Sequence, residues 1–471
     1  MSAPTAPAAA LERPSLPMRF IYLIALIELL VDAVVIAPLV ISLSLKVLQL
    51  QPVLPAGLTK EGALATVTAV GALAALVVTP MFGYWSDRTR SRFGRRRPWV
   101  IAGAALLVPT SAVMAFAGDV FTLMAGWALV TIAASMSLAA LFGWIADLVP
   151  DHQRAKASGI FGAGNIAGLV PALVIAAAFK NDLVLAFMVM PVVAAVATLL
   201  IARFIPDAST AHAALAPARL IGVFASLLFN PAKHRQFALV WLQRFLIQFG
   251  YMLFGTFGLY YLMERMAMDA GGATTTTSMA SLLTGVLSMI AAFAFGFIAA
   301  KRRDYTPFVI VAIAGVAVAC FLKAFTGDLG WFWVGSGLSG FALGCFYAVD
   351  MALVLRTIPA DENARFLGVF NIAKTLPQSL APALAPAFLL IGGKDPIHGG
   401  ENNYAALFTI AGVFALLSLL PLAWTTALRR PVAQAETFAA VDAPAGTAPH
   451  PAAAPGESRR PSPTLTNGAA R

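Results

Sequence analysis

Residues Gly83-Tyr84-Trp85-Ser86-Asp87-Arg88-Thr89-Arg90-Ser91-Arg92-Phe93-Gly94-Arg95-Arg96-Arg97-Pro98 place six arginines in sixteen residues, between apolar runs at 63–85 and 99–117. A membrane helix needs about 20 mostly apolar residues to cross ~30 Å of hydrocarbon. Loops carrying an excess of Lys and Arg stay on the cytoplasmic side. The stretch therefore reads as a short cytoplasmic loop between two transmembrane helices.

On either side of this loop, apolar runs of similar length recur at 20–44, 121–145, 157–179, 183–201, 237–263, 279–300, 307–325, 331–355, 366–392 and 404–428, twelve in all. The first run is too long for a signal-peptide core and has no small-residue cleavage site after it, so it is expected to stay as helix 1. Loops after the even-numbered helices hold most of the positive charge, including Arg154, Lys156, Arg219, Lys233, Arg235, Lys301 and Arg365. The opposite loops hold only Lys46, Lys60, Lys180, Arg265 and Lys394. Both termini are thus expected in the cytoplasm.

Composition agrees. Of 471 residues 59% are apolar and 11% charged, against roughly 25% charged in soluble domains. That is too little to coat a water-soluble protein of this size. The net charge of +10 marks membrane orientation, and no nucleic-acid partner is expected. Cys320 and Cys345 sit in apolar runs, and the five histidines are scattered through connections and tails. No metal site, cofactor or phosphate-binding loop follows, nor does a nucleophile, base and oxyanion set converge. An enzyme is not expected.

The two halves echo each other, as in duplicated carriers. Lys156-Ala157-Ser158-Gly159-Ile160-Phe161 opens helix 5 and Arg365-Phe366-Leu367-Gly368-Val369-Phe370 opens helix 11. Phe82-Gly83-Tyr84 and Phe295-Gly296-Phe297 occupy matching places in helices 2 and 8. The expected organisation is an all-α membrane protein with a tail at 1–18, a six-helix bundle at 19–203 and a linker at 204–236. A second six-helix bundle at 237–430 and a disordered tail at 431–471 follow. In the linker, Leu220, Ile221, Val223, Phe224, Leu227 and Leu228 recur at helical spacing, which predicts an amphipathic helix on the membrane surface.

The Gly83–Pro98 loop resembles the helix 2 to 3 signature of the major facilitator superfamily. Its Ser91-to-Pro98 extension is similar to that of the sucrose transporters of plants and their animal and bacterial relatives. Gly368-Val369-Phe370-Asn371-Ile372-Ala373 with Pro377-Gln378 resembles helix 11 of the same relatives, and Pro150-Asp151 with Arg154 the helix 4 to 5 loop. The resemblance implies a twelve-helix carrier that alternates access, lined by helices 1, 4, 7 and 10, often coupling a glycoside to protons. It further implies a cytoplasmic gate at Gly83, Asp87, Arg88, Gly94, Arg95, Arg96, Asp147 and Arg154, with Gly83 permitting close helix approach. One departure matters: Phe142 stands where the sucrose relatives carry a substrate-linked arginine.

An ionisable group inside hydrocarbon costs at least ~2.5–3.5 kcal/mol and needs a partner, a wet cavity or a role. Five occur: Glu28 and Asp32 in helix 1, Arg244 in helix 7, Asp350 in helix 10 and Lys374 in helix 11. Glu28 and Asp32, four residues apart, share one helix face. Two carboxylates that close do not both ionise readily, which marks them for proton coupling; a salt bridge to Arg244 or Lys374 is the alternative. Asp350 and Lys374 lie at depths of roughly 9 Å and 13 Å by helix rise and are expected to pair. Candidates for recognising solute are Asn165, Gln243, Gln248, Tyr251, Asn371 and Gln378, with Phe254, Phe257, Tyr260 and Tyr261 as possible stacking rings.

The preferred expectation is a monomeric, proton-coupled symporter for a sugar, glycoside or similar polar solute in a bacterial inner membrane. An exporter of an amphipathic compound is an alternative, favoured by an apolar cavity wall at Phe142 and Trp144. A non-transporting pigment or assembly factor on the same fold is the other.

Overall fold

The computed structural model describes residues 15–150, 153, 160, 167–207, 209–210, 229–301, 305–355, 357–358 and 363–425. The expected surface helix at 220–228, the Lys156–Phe161 motif apart from Ile160, Arg154, Asn165 and the tail at 431–471 lie outside them.

Among the described residues the regular elements are all helical. The first half holds α1 (Met18–Ala37), a π-helical turn (Pro38–Ser42), α2 (Leu43–Leu50), α3 (Lys60–Asp87), α4 (Arg97–Ala115), α5 (Val120–Leu148), α6 (Leu169–Ala178) and α7 (Leu183–Ala202). The second holds α8 (Arg235–Thr256), α9 (Gly258–Arg265), α10 (Ala270–Lys301), α11 (Thr306–Phe325), α12 (Leu329–Leu355), α13 (Asn363–Leu389), α14 (Tyr404–Leu417) and α15 (Leu419–Ala423). Several starts are set by local caps: Thr59, Asp119, Asp182 and Asn403 each accept a bond from the backbone N–H three residues on, satisfying an otherwise orphaned donor.

Ten helical stretches among the described residues are long and apolar enough to cross a membrane. Twelve runs were expected. α13 has the length, 27 residues, but carries Asn371, Lys374, Gln378 and three internal prolines, so its hydropathy falls short. α6 has only ten described residues. Two further boundaries differ from expectation. The run at 237–263 breaks at Phe257 into α8 and α9. α10 begins nine residues before the apolar run, because Thr274, Thr275 and Ser278 return their hydroxyls to carbonyls four residues back and so let a polar segment continue as helix.

Helix packing shows the duplication. In the first half α5 lies against α3 and α4, and α7 packs on α4 and α1; in the second, α12 lies against α10 and α11, and α14 packs on α11 and α8. The halves meet along α3 with α13 and α6 with α10, again equivalent pairs. Close approach comes from small residues: a Cβ on Gly344 would overlap the Ser288 carbonyl, and one on Gly103 would lie 2.5 Å from the Ser137 nitrogen. Large apolar side chains such as Phe297, Val196, Leu199 and Phe293 face outward. In water such a surface would drive association; against lipid it is the solvated one.

Candidate functional site

α1, α8, α12 and α13 bring the five intramembrane charges into one cluster. On α8 the i, i+4 spacing of Arg244 and Gln248 puts both on one face, and Tyr347 and Asp350 are likewise one turn apart on α12. Arg244 and Asp350 form a buried ion pair through Nη1 and Oδ2. The guanidinium also lies 4.1 Å from the Phe370 ring centroid, a favourable cation–π position. Asp350, expected to pair with Lys374, thus contacts Arg244: α8 packs directly against α12, and the longer, planar Arg side chain reaches across. Lys374 stands within electrostatic reach of Arg244, Asp32, Asp350 and Glu28 together, and Glu28 within reach of Asp32 and Lys374.

On the helices that carry this cluster, several buried polar atoms have no protein partner. Gln243 is only 1% exposed, yet neither its Oε1 nor its Nε2 is hydrogen-bonded; Glu28 Oε2, Asp350 Oδ1 and Gln248 Nε2 are in the same condition. Gln248 Oε1 accepts from the Tyr347 hydroxyl at 3.3 Å. Buried polar groups are nearly always satisfied, and an unmet one costs ~1–3 kcal/mol. Several together make a surface that can hydrogen-bond a polar solute.

The other candidates fall differently. Tyr251 and Gln378 are half-buried and Asn371 is exposed; no described bond ties their side chains to the cluster. The aromatic residues are packing elements: Phe257 is fully buried, the Tyr260 hydroxyl donates to the Ser44 carbonyl, the Tyr261 hydroxyl to that of Lys323, and the Lys323 amine sits 3.7 Å from the Phe254 ring centroid. No shared apolar wall is made by Phe142 and Trp144. Trp144 is buried and donates to the Pro206 carbonyl at 3.0 Å, whereas Phe142 is 50% exposed.

At the arginine-loop end, Arg96 is the hub. Its guanidinium bonds Asp87, Asp147 at 2.9 Å and the Ser86 hydroxyl at 2.7 Å, while Arg95 reaches the same Asp147 oxygen at 2.7 Å. Burial disfavours the Asp147 charge, but the bonds and charges of Arg96 and Arg95 prevail and hold its carboxyl below the ordinary carboxylate range. Arg88 packs over the Tyr84 ring, 4.6 Å from its centroid. Gly83 does not mediate close approach: a Cβ there would meet nothing within 4 Å, as would one on its counterpart Gly296. The crowded glycine is Gly143, where a Cβ would strike the Arg96 guanidinium.

Sequence reading missed Asp207. Its Oδ2 accepts the backbone N–H groups of Arg96 and Arg97, both at 2.9 Å, capping α4 from 110 residues away. Gly94 adopts φ +99 with its open face against that carboxyl, a left-handed conformation that suits glycine. A lone acid in the basic region after helix 6 was the available signal.

The described bonds of this network join residues of the first half alone. At the opposite end, bonds cross between halves: Tyr260 to Ser44, Lys180 Nζ to the Gly271 carbonyl at 3.2 Å and Lys60 Nζ to Glu264 at 2.5 Å.

A family model described as Major Facilitator Superfamily matches residues 33–382 and 306–466. Among curated proteins, the chain is 41% identical over 58 residues to sucrose transport protein SUC4 of Arabidopsis thaliana, covering 12% of this chain and 10% of that one. It is 39% identical over 49 residues to sucrose transport protein SUT4 of Oryza sativa subsp. indica, covering 10% and 8%. The matched segments thus span about a tenth or less of those relatives. Among solved structures, nucleoside transporter NupG aligns at TM-score 0.63 and 13% identity over 86% of this chain and 99% of that one. A D-xylose-proton symporter aligns at 0.62 and 15% over 84% and 97%. At such identities the likeness is one of fold.

Proposed function

The chain belongs to the Major Facilitator Superfamily, and on that premise we propose that it is a proton-coupled symporter of a sugar, glycoside or similar neutral polar solute. That it is a multi-pass membrane transporter of small molecules follows from the family and its fold neighbours. Solute class and coupling are our reading. The observation that carries it is the presence of the unpartnered Gln248 Nε2 and the unpartnered Gln243 amide on α8, the helix that contributes Arg244 to the five-charge cluster containing the Glu28–Asp32 pair.

In this reading the span has twelve helices, α6 and α13 completing the ten, with the arginine loop and both termini in the cytoplasm of a bacterial inner membrane. The carrier works as a monomer. Neutral solute binds through amide donors and acceptors whose bonds replace those that water would make. A proton on Glu28 or Asp32 leaves one carboxylate for Lys374 and Asp350 for Arg244, so that the loaded cluster carries no net charge. The Arg96 network braces the cytoplasmic end.

The test is solute-dependent proton movement in proteoliposomes across a panel of sugars and glycosides. Inward co-flux supports symport. Counter-flux supports the second reading, an exporter of an amphipathic compound. Neither flux with any solute would sink both.

A further inference from the structure

At the end opposite the arginine loop, two carboxylic acids from different halves meet. Glu61, in the first turn of α3, is 2% exposed; Glu264 stands near the end of α9. Asn402 Nδ2 donates to Glu61 Oε1 at 3.2 Å and to Glu264 Oε2 at 2.9 Å, so one amide bridges both carboxyls. Lys60 Nζ lies 2.5 Å from Glu264 Oε1 and 3.8 Å from Glu61 Oε1. The carboxyls are themselves within hydrogen-bonding reach of each other.

We propose that Glu61 and Glu264 form a proton-dependent latch, holding one shared proton while this end of the carrier is shut and releasing it to the adjacent solution as the end opens.

The charge balance favours this. Two ionised carboxylates and one ammonium leave a net −1 in a cluster where Glu61 is buried and Lys60 and Glu264 are only partly exposed; one proton makes it neutral. Paired carboxyls that close retain a proton between them as a unit. Among the described residues, two further cations, Arg265 and Lys46, are engaged elsewhere. Arg265, next to Glu264, is committed to Asp395 at 3.7 Å and to the carbonyls of Lys323 and Ala324. Lys46 of α2 donates to the Ala115 carbonyl. Tyr260 and Tyr404 lie within electrostatic reach of both carboxyls and bring no positive charge.

Opening separates α3 from α9 and the Asn402 loop. Glu61 leaves with Lys60, as a hydrated ion pair needing no proton, and Glu264 is released to water. One proton passes from the pair to solvent. Acid on that side therefore favours the shut state, by up to about tenfold in the shut-to-open ratio per pH unit for one proton. That the end opens follows from membership of a carrier family; the proton dependence is additional, and it is read below from conformation, not transport.

The full-length protein in nanodiscs, with Glu28→Gln and Asp32→Asn to silence the central pair, is spin-labelled at exposed Ala56→Cys and Ile397→Cys, leaving buried Cys320 and Cys345. Distances between labels are measured by double electron–electron resonance from pH 5 to 8. The short-distance population should rise on acidification, and added Glu61→Gln or Glu264→Gln should each abolish the dependence, since either leaves a neutral cluster without a titrating proton. Both substitutions are isosteric; should one not yield monodisperse protein, the other carries the test. Absence of the pH dependence before these additions, or its survival in either variant, overturns the latch.

Discussion

Arg244 and Asp350 form an ion pair within the membrane span, tying α8 to α12 with both side chains almost wholly buried. Removing one partner from such a pair strands the other charge in a poorly hydrated setting, which costs about 3–5 kcal/mol. Removing both does not. Arg244→Gln and Asp350→Asn should each lower the thermal midpoint of purified protein markedly, while the double variant recovers most of the loss. Additive losses would show that the pair contributes no coupling.

Gln243 gives the converse case. Its amide has no internal partner, so Gln243→Leu forfeits no protein hydrogen bond and should leave thermal stability unchanged or raised. If the amide meets solute, the apparent KM should rise about tenfold, equivalent to ~1.4 kcal/mol of binding. An unchanged KM would remove Gln243 from the site.

Proton coupling is tested at Glu28 and Asp32. Glu28→Gln or Asp32→Asn should abolish uphill uptake while solute counterflow remains measurable, because exchange needs no net proton cycle. Uphill uptake surviving in both would exclude the pair.

Arg96→Lys should slow transport without changing solute affinity. A lysine ammonium lacks the planar fork that serves Asp87, Asp147 and Ser86 at once. Gly143→Ala, which intrudes on the same guanidinium, should give a similar phenotype.

The same network has a predicted pH signature. The Asp147 carboxyl is held below its usual range when folded, so its stabilising contribution is present above the ordinary carboxylate range and is lost as pH falls through the lowered folded value. Between pH 5 and 8 the difference in thermal midpoint between wild type and Asp147→Asn should stay constant. A difference that closes between pH 6 and 5 would contradict the assigned direction.

Much of this architecture was legible in the chain itself. Run length reports a span because hydrocarbon thickness sets it, and the loop arginines bias orientation because their charge resists translocation. The five intramembrane charges stood out because they break long apolar runs. Helix ends were less legible: α10 extends through threonines that read as loop, since back-bonding hydroxyls hide their polarity inside the helix.

Partnership was not legible. Nothing in linear order distinguishes Arg244 from Lys374 as the neighbour of Asp350; the packing of α8 on α12 does. Asp207 at the start of α4, Gly143 against Arg96, and Glu61 beside Glu264 are likewise meetings across 47 to 203 residues of chain. By itself the sequence determined a membrane-spanning, all-helical, duplicated carrier and a short list of chemically costly residues, because transfer free energies act locally. Which costly groups satisfy one another, and which are left open to solute or proton, was decided only in the tertiary structure, where bonding depends on distance in space.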